Sequence, residues 1–287
     1  MNKEKYSICD NPETFIASGK CLILHGPWQD NFRWIVEKEN ISSLRISRAN
    51  GWKGEDISFL TSVPQLQGLE IYDWDVKDLT PLNKLTNLRS LGIQCQFTKA
   101  PEFTSFSKLK KLSLFWRPKA SDVFSCTTLM QLNIVNFPFQ NLEKIMELKL
   151  LERLQLSSRK LIDLNGIENL HNLVELDIAN SPKLECLLKL DECKLLESVI
   201  FNSCKKISDL SALGALPKLK KAHFIDCGKI KSLEPLVNSN LLEEIIFTGD
   251  TIIEDGNISP LTSITQIKKA ALAKRRHYTH TADEVIS

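Results

Sequence analysis

One pattern, Leu-x-x-Leu-x-Leu with close apolar replacements, returns nine times between residues 66 and 247, and its starts lie 20 to 23 residues apart. It begins as Leu66, Leu69, Ile71 and continues as Leu88, Leu91, Ile93 and as Leu109, Leu112, Leu114. The last full copies are Leu196, Val199, Phe201; Leu219, Ala222, Phe224; and Leu242, Ile245, Phe247. Weaker copies at Ile41, Leu44, Ile46 and at Ile267, Ala270, Leu272 open and close the series, which makes eleven turns. A unit this short cannot bury an apolar face alone, so such a period commits the chain to stacking each unit on its neighbours.

The spacing also says how each unit is built. Apolar residues two apart with a polar one between them describe a short strand whose alternate side chains point into the stack and out of it. Each strand then pairs in parallel with the next. The return path carries its own inward anchors at period three, as in Leu79, Leu82, Leu85 and in Leu210, Leu213, Leu216. That period suits 3₁₀ or single-turn helical segments. Just before the first anchor stands a column of short polar residues, Asp56, Asp78, Asp122, Asn141, Asp163, Asp209, Ser232 and Asn257. Such side chains accept hydrogen bonds from the free N–H groups that open a helical turn, so the column is expected to cap rather than to catalyse.

The repeat Leu-x-x-Leu-x-Leu at this period resembles the leucine-rich repeat family, and its short return segments are similar to the bacterial, internalin-like class. The resemblance covers residues 41 to about 272. It implies an α/β repeat solenoid, a curved horseshoe with a parallel concave β-sheet of about eleven strands and a convex side of 3₁₀ and short helical turns. Residues 1–40 are expected to form an N-terminal cap, 41–272 the array, and 273–287 a C-terminal cap and polar tail, all one continuous domain. The cap assignment rests on apolar residues outside the repeat, among them Phe15, Ile16, Leu22, Leu24, Phe32 and Val36. The family places Asn or Cys three residues after the last strand anchor, where Cys204 and Cys227 fit. Trp74, Gln96, Arg117, Phe137, Arg159, Ser181 and Asp250 depart from it, and Trp74 and Phe137 are expected to fill core.

The net charge of +2 selects no polyanionic partner, and no apolar run is long enough for a membrane helix. The N-terminus is polar and the eight cysteines contain no Cys-x-x-Cys pair. Cysteines inside leucine-rich stretches behave as small core residues, which suggests a reducing, cytoplasmic setting. No cofactor is implied. The five histidines are scattered, and the one close pair, His277 and His280, has no neighbouring ligand set of the kind a metal needs. No phosphate-binding glycine pattern appears, so the chain is expected not to be an enzyme. The C-terminal group Lys268, Lys269, Lys274, Arg275 and Arg276 lacks a stacking platform beyond Tyr278, which disfavours nucleic acid.

Function is then carried by the outward positions of the strands. In the N-terminal half these are Arg45, Arg48, Glu70, Tyr72, Lys111, Phe115, Trp116 and Val135, a set rich in the residue types that dominate interface energetics. Further on, Ile200, His223, Ile225 and Ile246 form a mostly apolar strip. These twelve residues are the expected contact set for a protein partner, with no small-molecule substrate. The plainer alternative is that they shield the sheet and serve strand propensity. The expected role is a non-catalytic protein-binding scaffold, in one version an inhibitor or immunity-type protein. The competing role is an effector or substrate-recognition subunit that uses the repeats for targeting.

Overall fold

The computed structural model describes residues 5–10 and 19–286, so the cap residues Phe15 and Ile16 lie outside the described residues. The strands are β1 (Tyr6–Cys9), β2 (Cys21–Leu24), β3 (Ser43–Ser47), β4 (Gly68–Tyr72), β5 (Ser90–Ile93), β6 (Lys111–Phe115) and β7 (Gln131–Val135). They continue as β8 (Arg153–Ser157), β9 (Glu175–Ala179), β10 (Ser198–Asn202), β11 (Lys221–Ile225), β12 (Lys229–Ile230), β13 (Glu244–Thr248), β14 (Ile252–Ile253) and β15 (Lys269–Leu272). Thirteen of them follow one another in sequence order in one sheet, and β12 pairs with β14 in a second, two-stranded sheet. The chain divides into two compact units, residues 1–133 and 134–287.

In the first unit, β1 runs antiparallel to β2, and β2 to β6 pair in parallel with the repeat anchors in register. Leu22, Leu44, Leu69, Leu91 and Leu112 form one buried column, as the period-two pattern requires. The helix α1 (Asn31–Lys38) buries Phe32, Ile35 and Val36 and leaves Trp34 exposed under the Lys38 ammonium. Trp28 stacks on Phe59 at 4.6 Å. The two strands from residues 1–40 explain why the sheet has more strands than the eleven turns of the repeat.

In the second unit, β8 to β11, β13 and β15 pair in parallel with the same register rule. Phe201, Phe224 and Phe247 occupy equivalent anchors and stack ring on ring at 5.2 Å between neighbours. The return segments are 3₁₀ turns, apart from the four-residue helices α2 (Ser211–Gly214) and α3 (Ser259–Thr262). A last helix, α4 (Ala282–Ile286), buries Val285.

The capping column acts as its composition predicts. Asp56, Asp78, Asn141, Asp163, Asp209, Ser232 and Asn257 each accept the backbone N–H two residues on. Asp122 differs, because its carboxylate accepts the N–H of Phe103 from the preceding turn. The expected Asn/Cys position is also filled, by a different residue in several turns. Ser158, Ser181, Cys204, Cys227 and Thr251 each donate to a backbone carbonyl, and Ser158, Cys204, Cys227 and Thr251 reach one in the preceding turn. The ladder thus runs through Ser158 and Thr251 rather than Arg159 and Asp250. In the first unit Asp73 and Cys95 are the buried residues at this place, and Trp74 and Gln96 point away.

Candidate functional site

The outward face of the first unit is built on two adjoining columns. Ser43, Gly68 and Ser90 are in register in one, and Arg45, Glu70 and Gly92 in the next. All but Arg45 are buried, although they lie on the side of the strands away from the leucine core. Gly68 suits this closeness, since a β-carbon there would press on the Ser43 and Ser90 hydroxyls and make them shift. Arg45 and Glu70 form an ion pair whose side chains are 17% and 2% exposed. Arg45 Nη2, Glu70 Oε1 and Ser90 Oγ find no hydrogen-bond partner, so this is a buried polar group left incompletely satisfied. Tyr72 stands beside the pair, and burial together with the Glu70 charge pushes its phenol well above the usual range.

Beyond the ends of these strands lies an aromatic group. Trp74 follows β4 and Phe115 ends β6, and their rings meet edge to face at 4.9 Å across the intervening turn. The Arg117 guanidinium sits over both, 5.2 Å from Phe115 and 5.9 Å from Trp74. Trp74 remains 36% exposed, which corrects its reading as core filling. Phe137, by contrast, is buried as expected. The correction has a physical cause: Asp73 takes the inward place in this turn and accepts the N–H of Asp75, so the indole is turned out.

Of the other residues singled out, Arg48 is exposed and pairs with Asp75 at 2.5 Å. Lys111 and Val135 are half-buried on their strands, and Trp116 stacks on Phe124 at 5.3 Å, docked against the body of its turn. In the second unit Ile200, His223 and Ile246 are neighbours in register, with Ile225 one column over. His223 lies 3.1 Å from Glu244, and burial lowers its pKa against the opposing pull of that carboxylate. Glu244 also holds Lys269 and Lys221, at 2.5 and 3.3 Å, and this drives its carboxyl down to about 2. The structure therefore brings Arg45, Glu70 and Tyr72 together in the first unit and Ile200, His223 and Ile246 in the second, to which Val135 also belongs. Trp74 and Arg117 were missed at the sequence level, because the repeat assigns them to a structural place that Asp73 and its equivalents occupy.

Burial lifts the thiols of Cys21, Cys95, Cys126 and Cys193 to about 12, which keeps them protonated and poorly nucleophilic. No group of three or more metal-ligating side chains occurs among the described residues. His277 contacts the Ile253 carbonyl at 3.0 Å, Tyr278 accepts the Ile253 N–H, and Thr279 accepts that of Ile258. The C-terminal segment is thus bonded to the last turn.

The same architecture occurs in solved structures. An internalin (inlF) from Listeria monocytogenes str. 4b F2365 superposes with a TM-score of 0.64 at 18% identity, over 93% of this chain and 84% of that one. The fold is the leucine-rich repeat. A TDR receptor shares it at a TM-score of 0.62 and 17% identity, over 85% of this chain and 45% of that one. So does the functional domain of InlJ from Listeria monocytogenes, described as including a cysteine ladder, at 0.58 and 16%, over 86% and 56%. No family model matches the sequence, and no curated protein matches it. The likeness is one of fold.

Proposed function

We propose that this leucine-rich repeat chain is a non-catalytic scaffold that binds a protein partner through the outward side of its strands. The observation that carries the reading is the Trp74, Phe115 and Arg117 group, with Tyr72 ending the strand that precedes Trp74. Trp, Tyr and Arg dominate interface energetics because they bury much area while keeping a polar handle. Here Trp74, Phe115 and Arg117 are held in mutual contact, so little of their side-chain freedom remains to be lost on binding. The likeness in fold supports the reading, since stacked repeats present extended surfaces suited to large partners. All eight cysteines are free, which favours a reducing compartment. In its finer form the scaffold covers a functional surface of its partner, as an inhibitor or immunity-type protein would.

The test is affinity capture from extracts of the source organism with the wild-type chain and a Trp74→Ala, Phe115→Ala variant. Circular dichroism and thermal melting establish that the variant is folded. A stoichiometric partner retained by wild type and lost by the variant supports the scaffold and its site. Equal retention moves the site elsewhere, and capture of nothing by either protein removes the reading. An activity assay on the captured partner then decides whether binding inhibits it.

A further inference from the structure

The second unit carries a hollow at the ends of its strands that shares only Val135 with the strand-face contact set. It has a volume of about 490 Å³ and lies where the chain leaves β7, β8, β9 and β10. Arg159 and Lys205 bring positive charge to it, Ser157 and Ser203 bring hydroxyls, and Asn136 and Asn180 bring side-chain amides. No carboxylate lines it among the described residues.

The turns are shaped for this. Asn136, Asn180 and Ser203 each take the residue directly after a strand, and each has a positive φ, of 62°, 49° and 57°. That left-handed conformation is unfavourable for most side chains and suits Asn. The backbone N–H groups of Asn180 and Ser203 are already spent on the Asn202 and Ile225 carbonyls, at 2.8 Å each. The Ser203 hydroxyl donates to Asn202 Oδ1 at 2.8 Å and the Ser157 hydroxyl accepts the Asn136 N–H at 3.4 Å, so what the turns leave over is the side-chain amides of Asn136 and Asn180, which make no hydrogen bond among the described residues.

Many cations of this unit are neutralised by an acid, and those at the hollow are not closely paired. On the strands of this unit, Arg153, Lys221 and Lys269 are each matched by a glutamate on the neighbouring strand. On the flanks Lys206, Lys220, Lys229 and Lys268 are matched in the same way. Arg159 has no such match, because the neighbouring turn offers Ser181 and Pro182 where the others offer a carboxylate. Lys205 reaches only an outer, exposed contact with Asp250 at 3.8 Å. A guanidinium, an ammonium and several neutral donors around a concavity without an acid is the complement of an oxyanion.

We propose that this hollow receives an oxyanion, carboxylate or phosphoryl, presented by a peptide segment of the protein partner; this rests on the scaffold reading above. Arg159 would bind it through paired N–H donors, with Lys205 adding charge and the two asparagines fixing its orientation.

The test follows labelled protein by NMR during titration with three short peptides that differ at one residue, aspartate, phosphoserine or asparagine. The acidic peptides are expected to shift the Arg159 Nε–H and the Asn136 and Asn180 side-chain amides saturably, and the asparagine peptide is not. Arg159→Gln should weaken the tighter peptide by about tenfold or more, and Lys205→Gln by less. A Lys274→Gln, Arg276→Gln control should bind as wild type does. The tighter of the two acidic peptides identifies the source of the oxyanion. Equal binding of the asparagine peptide, no effect of Arg159→Gln, an equal loss in the control, or no saturation would each overturn the proposal. Peptide binding without any captured partner sinks the scaffold reading alone; a captured partner without peptide binding sinks this one alone.

Discussion

The two units use the same strand register and treat charge on their outward faces in opposite ways. In the first unit Glu70 is buried and Arg45 largely so among Ser43, Gly68, Ser90 and Gly92, and one polar atom of each, with the Ser90 hydroxyl, is left without a partner. In the second, Lys221, Glu244 and Lys269 form a chain of pairs across β11, β13 and β15 in which both lysines keep contact with water. Register and repeat length are shared, so the difference lies in the side chains that the repeat leaves free. Small residues around the first pair let neighbouring strands' side chains close over it, whereas long residues around the second stay solvated. A buried pair is a weak source of stability and a strong constraint on geometry. The first face is therefore the one that holds a fixed shape.

Breaking the buried pair gives the largest expected effect. Glu70→Ala leaves Arg45 charged and without its counter-ion in a largely buried place, which is expected to destabilise the protein by about 3 kcal/mol. Urea unfolding measured on the variant checks this. A loss below about 1 kcal/mol would mean that water reaches the pair, and the contrast between the faces would fall with it.

The ladder supplies a test inside the second unit that does not involve its face. The Thr251 hydroxyl donates to the Phe224 carbonyl at 2.9 Å and accepts the Cys227 N–H at 3.0 Å, fully buried. Thr251→Val keeps the volume and strands both backbone groups, an expected cost of about 2 kcal/mol. Hydrogen exchange at the Cys227 amide should rise in the same variant, and an unchanged rate would show that the ladder is not what holds this turn.

Much of this architecture was legible from spacing because its physics repeats. Leucine at period two and three expresses the same burial in turn after turn, and a short polar residue accepts the free N–H two residues on in seven of them. Asp122 escaped the rule because its carboxylate was free to cap the preceding turn instead. The outward face was legible only as a set of positions. Tyr72 and Phe115 were found by alternation, yet Trp74 was assigned inward because one residue of slack in the turn let Asp73 take its place. The hollow beside Arg159 was invisible for the same reason: it depends on which of Ser158 and Arg159 turns inward, and spacing alone does not decide that.

A smaller effect of opposite sign is expected at Ser90. Its hydroxyl is buried on the first face and has no partner, so Ser90→Ala removes an unsatisfied polar group at little loss of packing. The variant is expected to be more stable by about 1 kcal/mol in the same urea experiment. Destabilisation instead would show that the hydroxyl is bonded in solution, and the first face would be less strained than the contrast implies.

The smallest effect belongs to the solvated chain of pairs. Glu244→Gln should cost under about 1 kcal/mol at neutral pH and less in high salt, since its partners are exposed lysines. Its pH dependence is more telling than its size. The pairing lowers the folded-state pKa from 4.5 to about 2, so the folded state favours the ionised carboxyl. That contribution is present above pH 4.5 and disappears as pH falls from there toward 2. His223 acts in a separate window. Its pKa is lowered from 6.5, so the unfolded chain takes up the proton first and stability begins to fall as pH drops below that value. In Glu244→Gln the loss between pH 4.5 and 2 should shrink, while the His223 component persists and deepens because the carboxylate that supported the imidazolium is gone. Thermal melts across pH 7 to 2.5 separate the two. An acid limb unchanged by the substitution would place the titrating carboxylates elsewhere and leave the second face without a measurable electrostatic role.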